Sequence, residues 1–121
     1  MAKLMIVDDE ADVREFAASF FRKRKIEVQT AGSGEEAVAV FEKNKPDLIL
    51  LDIKMLGMDG IETLEAIRKK DQQVKVIMVT GKKPEEDEAC KRCEELGVRG
   101  YVHKPLELDE LEKIVLKELN P

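Results

Sequence analysis

The chain has 121 residues, 43% of them apolar and 39% charged, with a formal net charge of −5. That length supports one hydrophobic core and not two, so residues 1–121 read as a single domain. The even spread of apolar residues argues against disorder, short runs such as Leu48–Leu51 argue against a membrane span, and the acidic balance argues against direct nucleic-acid binding.

Met1-Ala2-Lys3 leads straight into the apolar run Leu4–Val7, without the pattern of a secretory leader, so a cytoplasmic location is expected. The run itself predicts a strand buried on both faces. Val13, Phe16, Ala17 and Phe20 then share one face of a predicted helix. The basic cluster Arg22-Lys23-Arg24-Lys25 reads as the solvated end of that helix, where positive charge suits the dipole. Glu27–Thr30 alternates polar and apolar residues, as an edge strand does. Ser33-Gly34 opens a second helix that turns Ala37, Val38 and Phe41 inward.

Lys45-Pro46-Asp47 introduces a third strand, Leu48–Leu51, again continuously apolar. Asp59-Gly60 is a turn signal opening a third helix with Ile61, Leu64 and Ile67 on one face. Val74–Val79 is the fourth strand. The charged helical run Glu86–Leu96 follows, closed by Gly97 as a C-terminal cap. It contains Cys90 and Cys93, a CxxC without the further ligands a zinc site needs, so both read as ordinary helix residues. Gly100–His103 is a short edge strand, and Leu108, Leu111, Val115 and Leu119 line a last helix.

Five βα units result. Right-handed crossovers with three buried and two edge strands give the order 2-1-3-4-5, an α/β doubly wound parallel sheet of the flavodoxin-like (βα)5 type. In such a sheet, function gathers beyond the carboxyl ends of the strands. There the first strand ends in Asp8-Asp9, the third in Asp52, the fourth in Thr80 and the fifth in Lys104. Each alone has a plainer reading: a helix cap for Asp9, a β-branched strand residue for Thr80, a surface lysine for Lys104. Together they place three carboxylates, a hydroxyl and an ammonium around one small volume. Carboxylates that close repel unless a cation neutralises them, and hard oxygen ligands suit Mg²⁺. Such a cradle fits phosphoryl oxygens, with Asp52 as the carboxylate that accepts the group.

At this point the chain resembles the receiver domains of two-component response regulators along essentially its whole length. The resemblance rests on Ile6-Val7-Asp8-Asp9-Glu10, Leu50-Leu51-Asp52-Ile53-Lys54-Met55, Gly57-Met58-Asp59-Gly60, Met78-Val79-Thr80-Gly81 and Gly100-Tyr101-Val102-His103-Lys104-Pro105. It implies that Asp52 is the phosphoacceptor. It further implies that Asp9, Asp52 and the backbone carbonyl of Lys54 bind Mg²⁺, or Mn²⁺ in its place, with Asp8 acting through water. Thr80 and Lys104 would contact the phosphoryl group, Thr80 and Tyr101 would form the switch, and Lys104-Pro105 would be a cis peptide.

The implied donor is a sensor histidine kinase or a histidine phosphotransfer protein. The implied output is a change in the surface of the fourth helix, fifth strand and fifth helix, felt by a downstream protein, an attached output domain or a phosphorylation-dependent dimer partner. Such a domain catalyses only its own phosphorylation and dephosphorylation. Two features depart from the family pattern: Leu56 stands where proline is usual, and the stretch from Thr80 to Tyr101 runs about two residues longer. A haloacid-dehalogenase-like phosphatase would carry a second aspartate where Lys54 stands, and a flavin module would not place Asp8-Asp9-Glu10 at its phosphate loop.

Overall fold

A computed structural model describes residues 2–81 and 88–119. Strand β1 (Lys3–Val7) is followed by helix α1 (Ala11–Arg22), β2 (Glu27–Ala31), α2 (Gly34–Lys43) and β3 (Leu48–Asp52). Then come α3 (Gly60–Lys70), β4 (Lys75–Thr80), α4 (Ala89–Glu95), β5 (Gly100–His103) and α5 (Leu108–Leu119). All pairings are parallel, in the order β2-β1-β3-β4-β5, the flavodoxin-like (βα)5 arrangement the pattern predicts.

The continuous apolar strands lie in the centre because both their faces are covered. All five residues of β3 are buried. On one face Met5, Val7, Ile49, Leu51, Val76 and Met78 meet Ala37, Phe41, Leu64, Ile67 and the two cysteines. On the other, Leu4, Ile6, Leu48, Leu50 and Ile77 meet Ala17, Ala18, Phe21, Leu111 and Val115. Period-two alternation in the strands thus feeds two separate cores. Burying each large side chain contributes about 1.5–3 kcal/mol as an upper estimate.

Local signals set the helix ends. Ser33 Oγ accepts from the Glu36 N–H at 3.1 Å, and Asp59 forms a reciprocal capping box with Glu62. At the end of α4, Gly97 takes φ 74°. Val98 N–H then donates to the Cys93 carbonyl at 3.3 Å and Gly97 N–H to the Glu94 carbonyl at 3.0 Å, the Schellman pattern. Of the predicted helical run Glu86–Leu96, residues 86 and 87 lie outside the described residues. Cys90 and Cys93 are buried and packed in the core, with no disulfide between them.

One predicted face is corrected. The buried residues of α1 are Ala17, Ala18 and Phe21, whereas Phe16 is 65% exposed and Val13 only half-buried. The small side chains of Ala17 and Ala18 take the helix close to the sheet. This turns Phe16 outward, into a groove lined by Val13, Leu106, Leu108 and the stem of Lys104.

Candidate functional site

Asp52 is the last residue of β3, and its side chain has no room to leave the sheet edge: the residue is 3% exposed. Its Oδ1 accepts from the Lys54 N–H at 3.2 Å, and its Oδ2 accepts from Lys104 Nζ at 2.7 Å. Asp8 follows β1 and is 4% exposed. Its N–H extends the ladder to the Ala31 carbonyl at 3.1 Å, while its Oδ1 accepts from the Glu10 N–H at 2.8 Å. Asp9 is half-buried, and its Oδ2 accepts from the Leu56 N–H at 3.1 Å. One carboxylate oxygen from each of Asp8, Asp9 and Asp52 lies within 4.8 Å of the others.

Lys104 leaves β5 toward this cluster. Its N–H donates to the Thr80 carbonyl at 2.8 Å, so the ends of β4 and β5 are tied together. Its ammonium also lies 3.8 Å from Asp8 and 3.9 Å from Glu10. The Lys104–Pro105 peptide is cis. Thr80 is buried at the end of β4, the strand next to Asp52.

Burial pushes the Asp52 carboxyl above its ordinary value, and the charge of Asp8 pushes the same way. The bond and charge of Lys104 and the Lys54 N–H oppose this without cancelling it. For Lys104 burial acts downward, but the hydrogen bond and charge of Asp52, with Asp8 and Glu10, outweigh it and keep the ammonium protonated. Asp8, Glu10 and Asp52 therefore share the Lys104 ammonium. The set of clustered carboxylate oxygens, with Asp9 reaching the surface, fits a hard divalent cation such as Mg²⁺ that keeps part of its water. Asp8, Asp9 and Asp52 would hold it, and it would supply the missing positive charge.

Gly60 shows why the loop after Asp52 can sit so close. A Cβ there would lie 2.2 Å from the Asp52 carbonyl oxygen. The Gly60 N–H donates to the Ile53 carbonyl at 2.8 Å, docking the start of α3 against the backbone behind the acid.

The structure thus brings Asp8, Asp9, Asp52 and Lys104 together, with Thr80 on the neighbouring strand end. Lys54 is exposed and reaches Asp52 through its amide. Tyr101 lies apart from the cluster: it is half-buried, and its hydroxyl donates to the Cys90 carbonyl of α4 at 3.0 Å. Burial moves that hydroxyl's pKa upward. The sequence reading missed Glu10, Arg14 and Leu56. Glu10 belongs to the acidic run and could have been noticed. Arg14, which donates to the Asp8 carbonyl at 2.7 Å, lies one helical turn into α1. Leu56, which the sequence marks only as a departure from the family pattern, acts through its backbone N–H, a donor that the usual proline would lack.

Residues 4–116 match the family model described as the response regulator receiver domain. The chain is 35% identical to Sporulation initiation phosphotransferase F of Bacillus subtilis, over 97% of this chain and 93% of that protein. It is 36% identical to Regulatory protein AtoC of Escherichia coli over 97% of this chain, but spans only 25% of that protein's length. Among solved structures it is similar to the chemotaxis protein CheY4 of Vibrio cholerae, with TM-score 0.90, 30% identity and coverage of 98% of this chain and 99% of the other. It is also similar to response regulator protein TrrA from Thermotoga maritima in complex with Mg(2+)-BeF, with TM-score 0.84, 34% identity and coverage of 98% and 100%. With five parallel strands in the same order and the family's matched span covering most of its length, the chain belongs to the receiver-domain family of two-component response regulators.

Proposed function

We propose that residues 1–121 act as one phosphorylation switch in which Asp52 is the phosphoacceptor. The observation that carries this is the setting of Asp52: buried at a central strand end, bonded to Lys104 at 2.7 Å and grouped with two further carboxylates. The donor is a phosphohistidine on a sensor histidine kinase or a phosphotransfer protein. An Asp52 carboxylate oxygen forms a bond to phosphorus as the P–N bond to imidazole breaks, and the leaving imidazole takes up a proton. Lys104 and the Thr80 hydroxyl hold the phosphoryl oxygens, and Asp9, Asp52 and the Lys54 carbonyl would hold Mg²⁺, or Mn²⁺, with Asp8 acting through water. When bound, the cation neutralises charge on the transferring group. The domain turns over no other substrate.

The groove beside Lys104 supports a protein donor, because an exposed Phe16 with Val13 and Leu106 forms an apolar patch next to the acceptor. Incubation with Mg²⁺ and acetyl phosphate should add one hydroxylamine-labile phosphoryl group, read by intact mass. Asp52→Asn should abolish it; stoichiometric labelling of that variant would overturn the assignment.

The output reading follows from charge. Phosphorylation adds about −1.5 to −2 charges, and Thr80 moves toward them. Tyr101, whose hydroxyl touches α4, then changes position, and the α4-β5-α5 surface alters. A cytoplasmic partner, an attached output domain or a second copy reads that surface. Beryllofluoride should shift amide resonances over 88–106, whereas shifts confined to α1 and α2 would contradict the Thr80–Tyr101 coupling. Residues 82–87, which begin the polar segment leading to α4, lie outside the described residues.

A further inference from the structure

We propose that the backbone N–H of Leu56 is a positioning donor for the cation site, orienting Asp9 and tying the loop after Asp52 to it. This rests on the reading of Asp8, Asp9 and Asp52 as cation ligands. Each of these carboxylates accepts one backbone N–H, but the three bonds are not alike. Asp8 accepts from Glu10 and Asp52 from Lys54, both two residues further along, so each acid is fixed by its own turn. Asp9 accepts from Leu56, 47 residues away in sequence, at 3.1 Å. Among the described residues this is the one hydrogen bond recorded on the Asp9 side chain.

Asp9 is also the acid that most needs orienting. Asp8 and Asp52 are buried, whereas Asp9 is half-exposed between β1 and α1. The N–H takes up one carboxylate oxygen and leaves the other for a cation. A neutral donor orients the carboxylate without adding a charge that would compete with the ion, as a lysine would. The same bond fixes the loop that carries the Lys54 carbonyl.

The Leu56 side chain contributes no packing to explain its place: it is 86% exposed. What residue 56 supplies is its N–H, and this is the donor that proline, usual here in the family pattern, lacks. In this chain the departure from the pattern therefore becomes part of the cation site.

Mg²⁺ titration of the unphosphorylated chain by calorimetry tests this, together with the amide resonance of residue 56. Leu56→Pro removes the donor and should weaken Mg²⁺ binding about tenfold, as losing an outer partner of a metal ligand does. Leu56→Ala keeps the N–H and should restore the parent affinity. In the metal-free parent the Leu56 amide should resonate downfield and exchange slowly, and Asp9→Ala should abolish both signatures, a readout that does not depend on how well Leu56→Pro folds. Parental affinity in Leu56→Pro, or an unchanged Leu56 amide in Asp9→Ala, would overturn the proposal alone. A parent chain that binds no Mg²⁺ would overturn the cation reading and the proposal with it.

Discussion

Asp52 and Asp71 are the same residue type at opposite ends of the sheet, and their surroundings push them in opposite directions. Asp71 caps α3 just before β4, where its Oδ1 accepts from the N–H groups of Gln73 at 2.7 Å and Val74 at 3.1 Å. Those bonds, the Gln73 bond foremost, hold its carboxyl below the ordinary value against the effect of burial, with help from Lys45 and Arg68. Asp52 is raised, because burial outweighs its partners. At the amino end of the strands, charges are met by backbone groups and serve the fold. At the carboxyl end, Asp8, Glu10 and Asp52 gather around Lys104 with Asp9 beside them, a grouping that the proposed cation and phosphoryl chemistry would complete.

Arg68 gives the largest test of the structural end. Its guanidinium donates to the carbonyls of Leu96 at 2.6 Å, Val74 at 2.7 Å, Gly97 at 3.2 Å and Asp71 at 3.4 Å. One buried side chain thus joins α3, β4 and the end of α4. Arg68→Ala should lower stability to urea by about 2–4 kcal/mol by stranding these carbonyls, yet leave Asp52 able to accept a phosphoryl group. Loss of labelling in a folded Arg68→Ala would dissolve the distinction between the two ends.

Asp71→Asn should cost about 1 kcal/mol at neutral pH. A depressed folded pKa means that this contribution is present above the unfolded value of 3.8 and lost as pH falls through the folded one. The variant should therefore show a flatter acid limb below pH 3.8 in a plot of stability against pH. An unchanged limb would show that the cap's charge contributes nothing.

Much of this contrast was legible from the sequence. Apolar runs that stop at Asp8 and Asp52 fix both the strands and the acids at their ends, since a parallel strand covered on both faces cannot carry a carboxylate inside it. Arg68 was missed although its spacing, four residues after Leu64 and seven after Ile61, puts it on the apolar face of α3, where a guanidinium is not expected. The face of α1 was misjudged because apolar residues occur on two sides of it, and only packing against the sheet chooses between Phe16 and Phe21. The Leu56 N–H is visible in the sequence as the missing proline, but nothing there points to its partner Asp9, 47 residues away.

The smallest effect on stability concerns that misjudged face. Phe16→Ser should change stability by less than about 0.5 kcal/mol, as at other exposed positions. It should slow phosphotransfer from a protein donor while acetyl phosphate labelling continues. Equal slowing with both donors would remove the groove from the donor interface.

The central claim, that the carboxyl-end acids are kept for a cation at a cost to the fold, is tested most directly by melting the parent and Asp52→Asn at neutral pH with and without Mg²⁺. A raised folded pKa makes ionised Asp52 destabilising above it, a burden relieved as pH falls toward the unfolded value of 3.8. Without Mg²⁺ the variant should therefore melt higher than the parent, with the difference closing at acid pH. Mg²⁺ should raise the parent by mass action and the variant much less. A variant that melts below the parent in metal-free buffer, with a parent indifferent to Mg²⁺, would contradict the account.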